Sequence, residues 1–166
     1  MRLTRKPLAA FAAGLVSSAL WLTGCAPPRG DPPLPAPLAD DRARPALALI
    51  EQVLSEHFAA QAGAAGPTTT CVSLAPEPLT ADDEAALMGR FVRLAPASRC
   101  RPGAAGPSDA IVGTPAELIQ VYEFACQSDE RCAGWVTRSG RPATRYAMEW
   151  RDGAWRFTAD RRLLAE

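Results

Sequence analysis

The stretch Tyr146-Ala147-Met148-Glu149-Trp150-Arg151-Asp152-Gly153-Ala154-Trp155-Arg156-Phe157-Thr158-Ala159-Asp160 decides the architecture. Asp-Gly is a strong hairpin signal, because both residues tolerate the positive φ that a type I′ turn demands. A two-residue turn at Asp152-Gly153 sets Arg151 opposite Ala154, Trp150 opposite Trp155, Met148 opposite Phe157 and Tyr146 opposite Ala159. The aromatic and apolar pairs share one face. The other face sets Glu149 against Arg156 and Arg145 against Asp160, opposite charges in both rows. This alternation predicts one buried face and one solvated face, and a slip of one residue would exchange them.

Upstream, Leu118 to Phe124 is rich in β-formers, although Thr114-Pro115-Ala116-Glu117 also matches a helix capping box. We read 114–126 as a strand in a hairpin with the strand through Trp135, which Cys126 and Cys132 then close. Leu47, Ile50, Leu54, Phe58 and Gln61 recur at spacings of three and four beside Val53 and His57. That spacing predicts an amphipathic helix, capped by Asp40 or Asp41 and closed by Gly63. Thr68 to Leu74 reads as a strand, and Thr80 caps a short helix with Asp83 reaching back and Leu87, Met88 and Phe91 buried. Residues 95–107 read as loop. The expected class is α+β, an N-terminal helix packed on an antiparallel meander that ends in the tight Asp-Gly hairpin. The aromatic strand, the Asp152-Gly153-Ala154-Trp155 turn and the final strand resemble the close of cystatin-like and nuclear-transport-factor-like domains.

The amino terminus reads as an export signal. Arg2, Arg5 and Lys6 precede an apolar run from Leu8 to Leu22, shorter than the roughly 20 residues a membrane span needs. The run ends in Leu22-Thr23-Gly24-Cys25, which resembles the lipobox of bacterial lipoproteins. That resemblance implies a diacylglyceryl group on the Cys25 thiol and cleavage between Gly24 and Cys25, with the new amino terminus open to acylation. Ala26 rather than Asp follows the cysteine, which favours the outer membrane, facing the periplasm, in a host with two membranes. Seven prolines between Pro27 and Pro45 then predict a semi-extended spacer. The expected organisation is a signal over 1–24, a tether over 25–44 and one α+β domain over 45–166.

The chain has 166 residues, with 18 Lys+Arg and 18 Asp+Glu. Removal of 1–24 leaves 15 Arg against 18 acids, a net charge of −3. Residues 25–130 carry 7 Arg against 14 acids, and 131–166 carry 8 Arg against 4. This balance gives no reason to expect a nucleic-acid partner. Arg138, Arg141, Arg151, Arg161 and Arg162 form a candidate anion-binding set, because guanidinium suits bidentate contact with carboxylate or phosphate. A solvated sheet face is the plainer reading of the same residues. The expected partner is the membrane, reached through the lipid on Cys25, with another envelope protein or anionic lipid beyond it.

Cys71, Cys100, Cys126 and Cys132 are even in number in an exported chain, which favours disulfides paired 126–132 and 71–100. With no Cys-x-x-Cys pair and one imidazole, His57, a metal centre is not expected. Neither a glycine-rich phosphate loop nor a Gly-x-Ser-x-Gly elbow is present, so no cofactor is expected. His57 is a candidate general base without a partner that sequence alone can place beside it. Asp82-Asp83-Glu84 falls in a first helical turn, where the dipole favours acids. The expected role is a non-catalytic binding module. The alternatives are a small-ligand carrier or enzyme with a pocket lined by His57, Tyr122 or Tyr146, and an inhibitor of an envelope lytic enzyme.

Overall fold

A computed structural model describes residues 36–63 and 69–160. Gly24, Cys25, Arg161 and Arg162 lie outside the described residues. The elements run α1 (Pro45–Ala60), β1 (Thr69–Leu74), α2 (Ala81–Arg90), β2 (Leu94–Ala95), β3 (Cys100–Arg101), β4 (Ser108–Asp109), β5 (Ala116–Ser128), β6 (Arg131–Arg138), β7 (Arg141–Arg151) and β8 (Ala154–Asp160). Six strands form one sheet in the order β2-β1-β5-β6-β7-β8, and β3 pairs with β4 as a separate ribbon. The class is α+β.

The expected antiparallel meander covers only β5 to β8; β1 runs parallel to both of its neighbours, β2 and β5. The sheet is therefore mixed. The physical reason lies in the connections: α2 carries the chain from the end of β1 back to its beginning, so β2 can pair only in parallel. Residues 95–107 are likewise more than a loop, since they hold the end of β2, a 3₁₀ turn at Ala97–Arg99 and β3.

Segment 114–126 contributes a strand from Ala116 onward. Ile119 pairs with Val72 on one side and Arg138 on the other, and Val121 pairs with Val136. Ile119 and Val121 are fully buried, which pairing on both flanks achieves and an isolated capping box does not. β7 and β8 meet at Asp152 and Gly153, whose φ values are +52° and +75°. Glycine at the second position takes that conformation without a Cβ penalty. Trp150 lies opposite Trp155, Met148 opposite Phe157 and Tyr146 opposite Ala159. Tyr146, Met148 and Trp155 are buried, and the two indoles meet edge to face with centroids 5.4 Å apart. On the other face the carboxylate of Glu149 does not turn to Arg156. It contacts Arg151 at 2.7 Å and Arg131 at 3.9 Å, because residues two apart on one strand and directly opposite on the next share that face.

α1 lies on the face formed by Val72, Ile119, Val121, Val136, Tyr146, Met148 and Trp155. Leu47, Ile50, Val53 and Leu54 are buried as their spacing predicts, and Ala48 and Leu49 are buried too. The extra burial arises because this helix is covered on more than the sheet side. Glu51 receives the backbone N–H of Leu38 at 2.6 Å and of Ala39 at 3.2 Å, and it is ion-paired with Arg90 of α2. Leu49 packs down onto Gly134 of β6, where a Cβ would stand 3.2 Å from Leu49 and 3.0 Å from Phe124. Any larger residue there would make the Leu49 and Phe124 side chains give way by a few tenths of an ångström.

The start of the domain differs from expectation in two respects. Neither Asp40 nor Asp41 caps α1: the helix begins with Pro45 at its first position and Arg44 before it, without a side-chain cap. Asp41 instead accepts from the Ala43 N–H at 3.0 Å and from Arg44 Nε at 2.6 Å, holding the chain in a turn just ahead of the helix. Packing also begins before residue 45. Leu38 belongs to the core, Trp155 Nε1 donates to the Asp41 carbonyl at 3.2 Å, and Arg42 reaches the Asp129 carbonyl and Glu130. The disulfides are Cys71–Cys100 and Cys126–Cys132.

Candidate functional site

The richest polar constellation lies where the end of α1 meets the strand ends opposite the Asp-Gly turn. His57 faces inward from the last turn of the helix, and its Nε2 is 3.2 Å from the Thr70 hydroxyl of β1. The preceding residue, Glu56, accepts from the Tyr146 hydroxyl at 2.7 Å and from Gln52 Nε2 at 2.9 Å, with Arg138 at 3.6 Å. Glu117 pairs in register with Thr70, and burial raises its carboxyl pKa against the opposing pull of Arg141, Ser139 and Arg138. A groove of about 260 Å³ opens beside this cluster, lined by Arg138, Arg141, Thr144 and Tyr146 among others.

Burial, followed by the positive charges of Arg138, Arg141 and Arg93, pulls the His57 pKa from 6.5 down to about 4. The ring is therefore neutral at neutral pH. As a base it would need a proton donor within reach, and the group beside its Nε2 is the hydroxyl of Thr70, which is only 1% exposed. The same shift makes a stability prediction. The unfolded chain protonates His57 near pH 6.5, whereas the folded chain resists until about pH 4. The contribution is complete above pH 6.5 and is lost as pH falls through that window, by roughly 2 kcal/mol once screening from the open groove is allowed for. Urea unfolding at pH 7 and pH 4 measures it, and His57→Gln is expected to shrink the difference by that amount. Glu117 titrates with the opposite sign, so the comparison of the two proteins, not the slope of either, isolates His57.

Of the five arginines suggested by sequence, Arg138, Arg141 and Arg151 fall among the described residues, and the structure separates them. Arg138 and Arg141 flank the β6–β7 turn and face the His57 cluster. Arg151 sits at the other end of β7 beside the Asp-Gly turn and contacts Glu149. They do not form one patch. Arg131, Arg145, Arg151 and Arg156 instead line a shallow concavity of about 400 Å³ on the outer face of β6, β7 and β8, with Glu149 among them. Strand register was the signal that could have found this grouping, since all four point away from the buried face. Tyr122 also lies on that outer side, paired with Trp135 across from it, and so takes no part in the His57 cluster.

A second polar hub was not anticipated. Asp109 on β4 is 1% exposed and accepts from the Thr69 hydroxyl, from Arg99 Nε at 2.9 Å and from the Ile111 and Val112 N–H groups. Together these donors hold its pKa at about 2, the Thr69 contact acting most strongly. Nothing in its local sequence marks it, because its donors arrive from β1, the 3₁₀ turn and the following loop. Among the described residues no three His, Cys, Asp or Glu side chains are grouped to hold a metal ion, and no helix is long and apolar enough to cross a membrane. No known family, curated protein or solved structure matches this chain.

Proposed function

We propose that the chain is a lipid-anchored protein of the cell envelope whose domain acts as a non-catalytic binding module. The observation that carries this reading is the closed state of its internal chemistry. His57 is occupied by Thr70, and Tyr146 and Arg138 by Glu56, while no buried side-chain N or O among the described residues lacks a hydrogen-bond partner. The grooves open outward, onto the β6–β8 face and beside the β6–β7 turn. The lipobox-like Leu22-Thr23-Gly24-Cys25 supports the anchor, and two disulfides suit an oxidising compartment. A long helix lying on the β5–β8 meander supports the resemblance to cystatin-like domains, while the parallel strands β1 and β2 stand outside that pattern.

The anchor is tested by Cys25→Ala, which is expected to move the protein from the membrane to the soluble fraction. Acylation with two or more chains is needed for stable anchoring, each buried methylene adding about 0.8 kcal/mol. Unchanged membrane fractionation of the variant would overturn this reading.

A further inference from the structure

On the outer face of the sheet, the concavity across β6, β7 and β8 has a floor of small side chains and walls of guanidiniums, and strand register shows how. Ala133, Ala147 and Thr158 lie side by side in one row across the three strands. The row two residues nearer the Asp-Gly turn holds Arg131, Glu149 and Arg156, again directly opposite one another. Two residues the other way, Arg145 stands between Trp135 and Asp160. Residues two apart on a strand are separated by about 7 Å. Ala147 therefore sits at the bottom of a trough, with arginine stems rising on both sides. Alanine is depleted in strands, yet two occupy this middle row. Their effect is to leave open space of about 400 Å³ above the sheet.

The charges of the trough do not balance. Four arginines and one carboxylate line it, a surplus of three positive charges, although residues 25–166 together carry −3. Glu149 is engaged by Arg151 at 2.7 Å and Arg131 at 3.9 Å. Among the described residues, Arg145 and Arg156 form no ion pair, even though Glu149 lies directly opposite Arg156. Guanidiniums gathered in one trough repel one another, and an anion seated between them removes that repulsion.

We propose that this trough is a binding site for a phosphomonoester, with Arg145 and Arg156 donating to its oxygens from opposite walls, Arg131 adding charge and the Thr158 hydroxyl donating from the floor. The inference rests on the binding-module reading and names the surface and the class of ligand. Shape and charge select that class. A carboxylate is planar, carries a single charge and is satisfied by one bidentate guanidinium. A phosphomonoester carries about −1.5 to −2 at neutral pH and three strong acceptor oxygens that point apart. That matches guanidiniums arriving from two walls and a surplus of more than one positive charge. The trough is open above, so the rest of the ligand stays outside it, and the phosphate can belong to a free solute or to a lipid headgroup.

The test titrates the chain as its cells make it, purified in neutral detergent micelles, with glycerol 3-phosphate in a calorimeter. Saturable binding is expected, with lactate, a small carboxylate, at least about tenfold weaker. Arg145→Gln and Arg156→Gln should each weaken glycerol 3-phosphate at least about tenfold, the loss of one charge-assisted contact. Arg101→Gln, on β3 and outside the trough, should leave it unchanged. Phosphatidic acid added to the micelles distinguishes the sources. Displacement of glycerol 3-phosphate assigns the trough to a lipid headgroup, and an unchanged titration assigns it to a free solute. No saturable binding, equal affinity for lactate, indifference to both trough variants, or an equal loss in Arg101→Gln would overturn the inference. Two readouts keep the earlier reading separate. Release of inorganic phosphate from the bound ester would contradict the non-catalytic role while leaving the site in place, and fractionation of Cys25→Ala reads the anchor alone.

Discussion

Leu49→Ala is expected to lower the unfolding free energy by about 3–4 kcal/mol, the range for deleting a fully buried leucine whose surroundings cannot collapse. Leu49 is 0% exposed and rests on Gly134, so both the helix backbone above and the strand below resist closing the cavity. The same contact should be as sensitive from the other side. Gly134→Val adds bulk where even a Cβ stands 3.0 Å from Phe124 and 3.2 Å from Leu49, and overpacking of this kind costs about 1–3 kcal/mol. Urea denaturation checks both: the midpoint should fall while the slope stays constant. A loss below about 1 kcal/mol for Leu49→Ala would mean that α1 does not rest on β6 as described.

Replacing both Cys71 and Cys100 by Ser is expected to cost about 3.5 kcal/mol, the chain-entropy value for a bridge spanning 29 residues. The Cys126–Cys132 bridge spans only 6 residues, and its removal should cost about 2 kcal/mol. The first bridge has a further consequence that the second lacks. It ties the β3–β4 ribbon to β1, next to the cluster of Cys71, Ala95, Cys100 and Ala116. Its loss should therefore expose residues 96–115 to limited proteolysis while β5 to β8 remain protected. Equal costs for the two double variants, or cleavage spread evenly over the domain, would contradict this division. Four free thiols in the unreduced protein would overturn both bridges.

The two halves of the molecule differ in how far their sequences speak. In the β7–β8 hairpin every determinant is local: Asp152-Gly153 sets the turn, and alternation sets the faces. The two helices are also legible, α1 from its apolar spacing and α2 from Thr80, whose hydroxyl accepts the Asp83 N–H at 3.2 Å and donates to the Asp83 carboxylate. β2, β3 and β4 are two residues each and carry no periodicity of their own. They are strands because β1 and the Cys71–Cys100 bridge bring partners to them. The parallel pairing of β1 with β5 joins segments more than forty residues apart, and no local signal reports such a contact.

Polar groups follow the same division. His57 stands out in the sequence as the sole imidazole, but its neutral state follows from burial and from Arg138 and Arg141 at the β6–β7 turn and Arg93 before β2, all distant from it in the chain. Arg138, Arg141 and Arg151 look alike in the sequence, yet two face the His57 cluster and one the outer sheet surface. Ile111, Val112 and Asp109 look like residues of an unremarked loop until folding buries the carboxylate beneath the two aliphatics.

By itself the sequence determined the α+β class, the helices and the closing hairpin register, because propensity, capping and alternation act between residues close in the chain. Tertiary structure alone decided the mixed sheet, the scattering of the arginines and the exposed Ile111–Val112 loop. These depend on burial and on hydrogen bonds between distant segments, whose free energies exist only once the chain has brought them together.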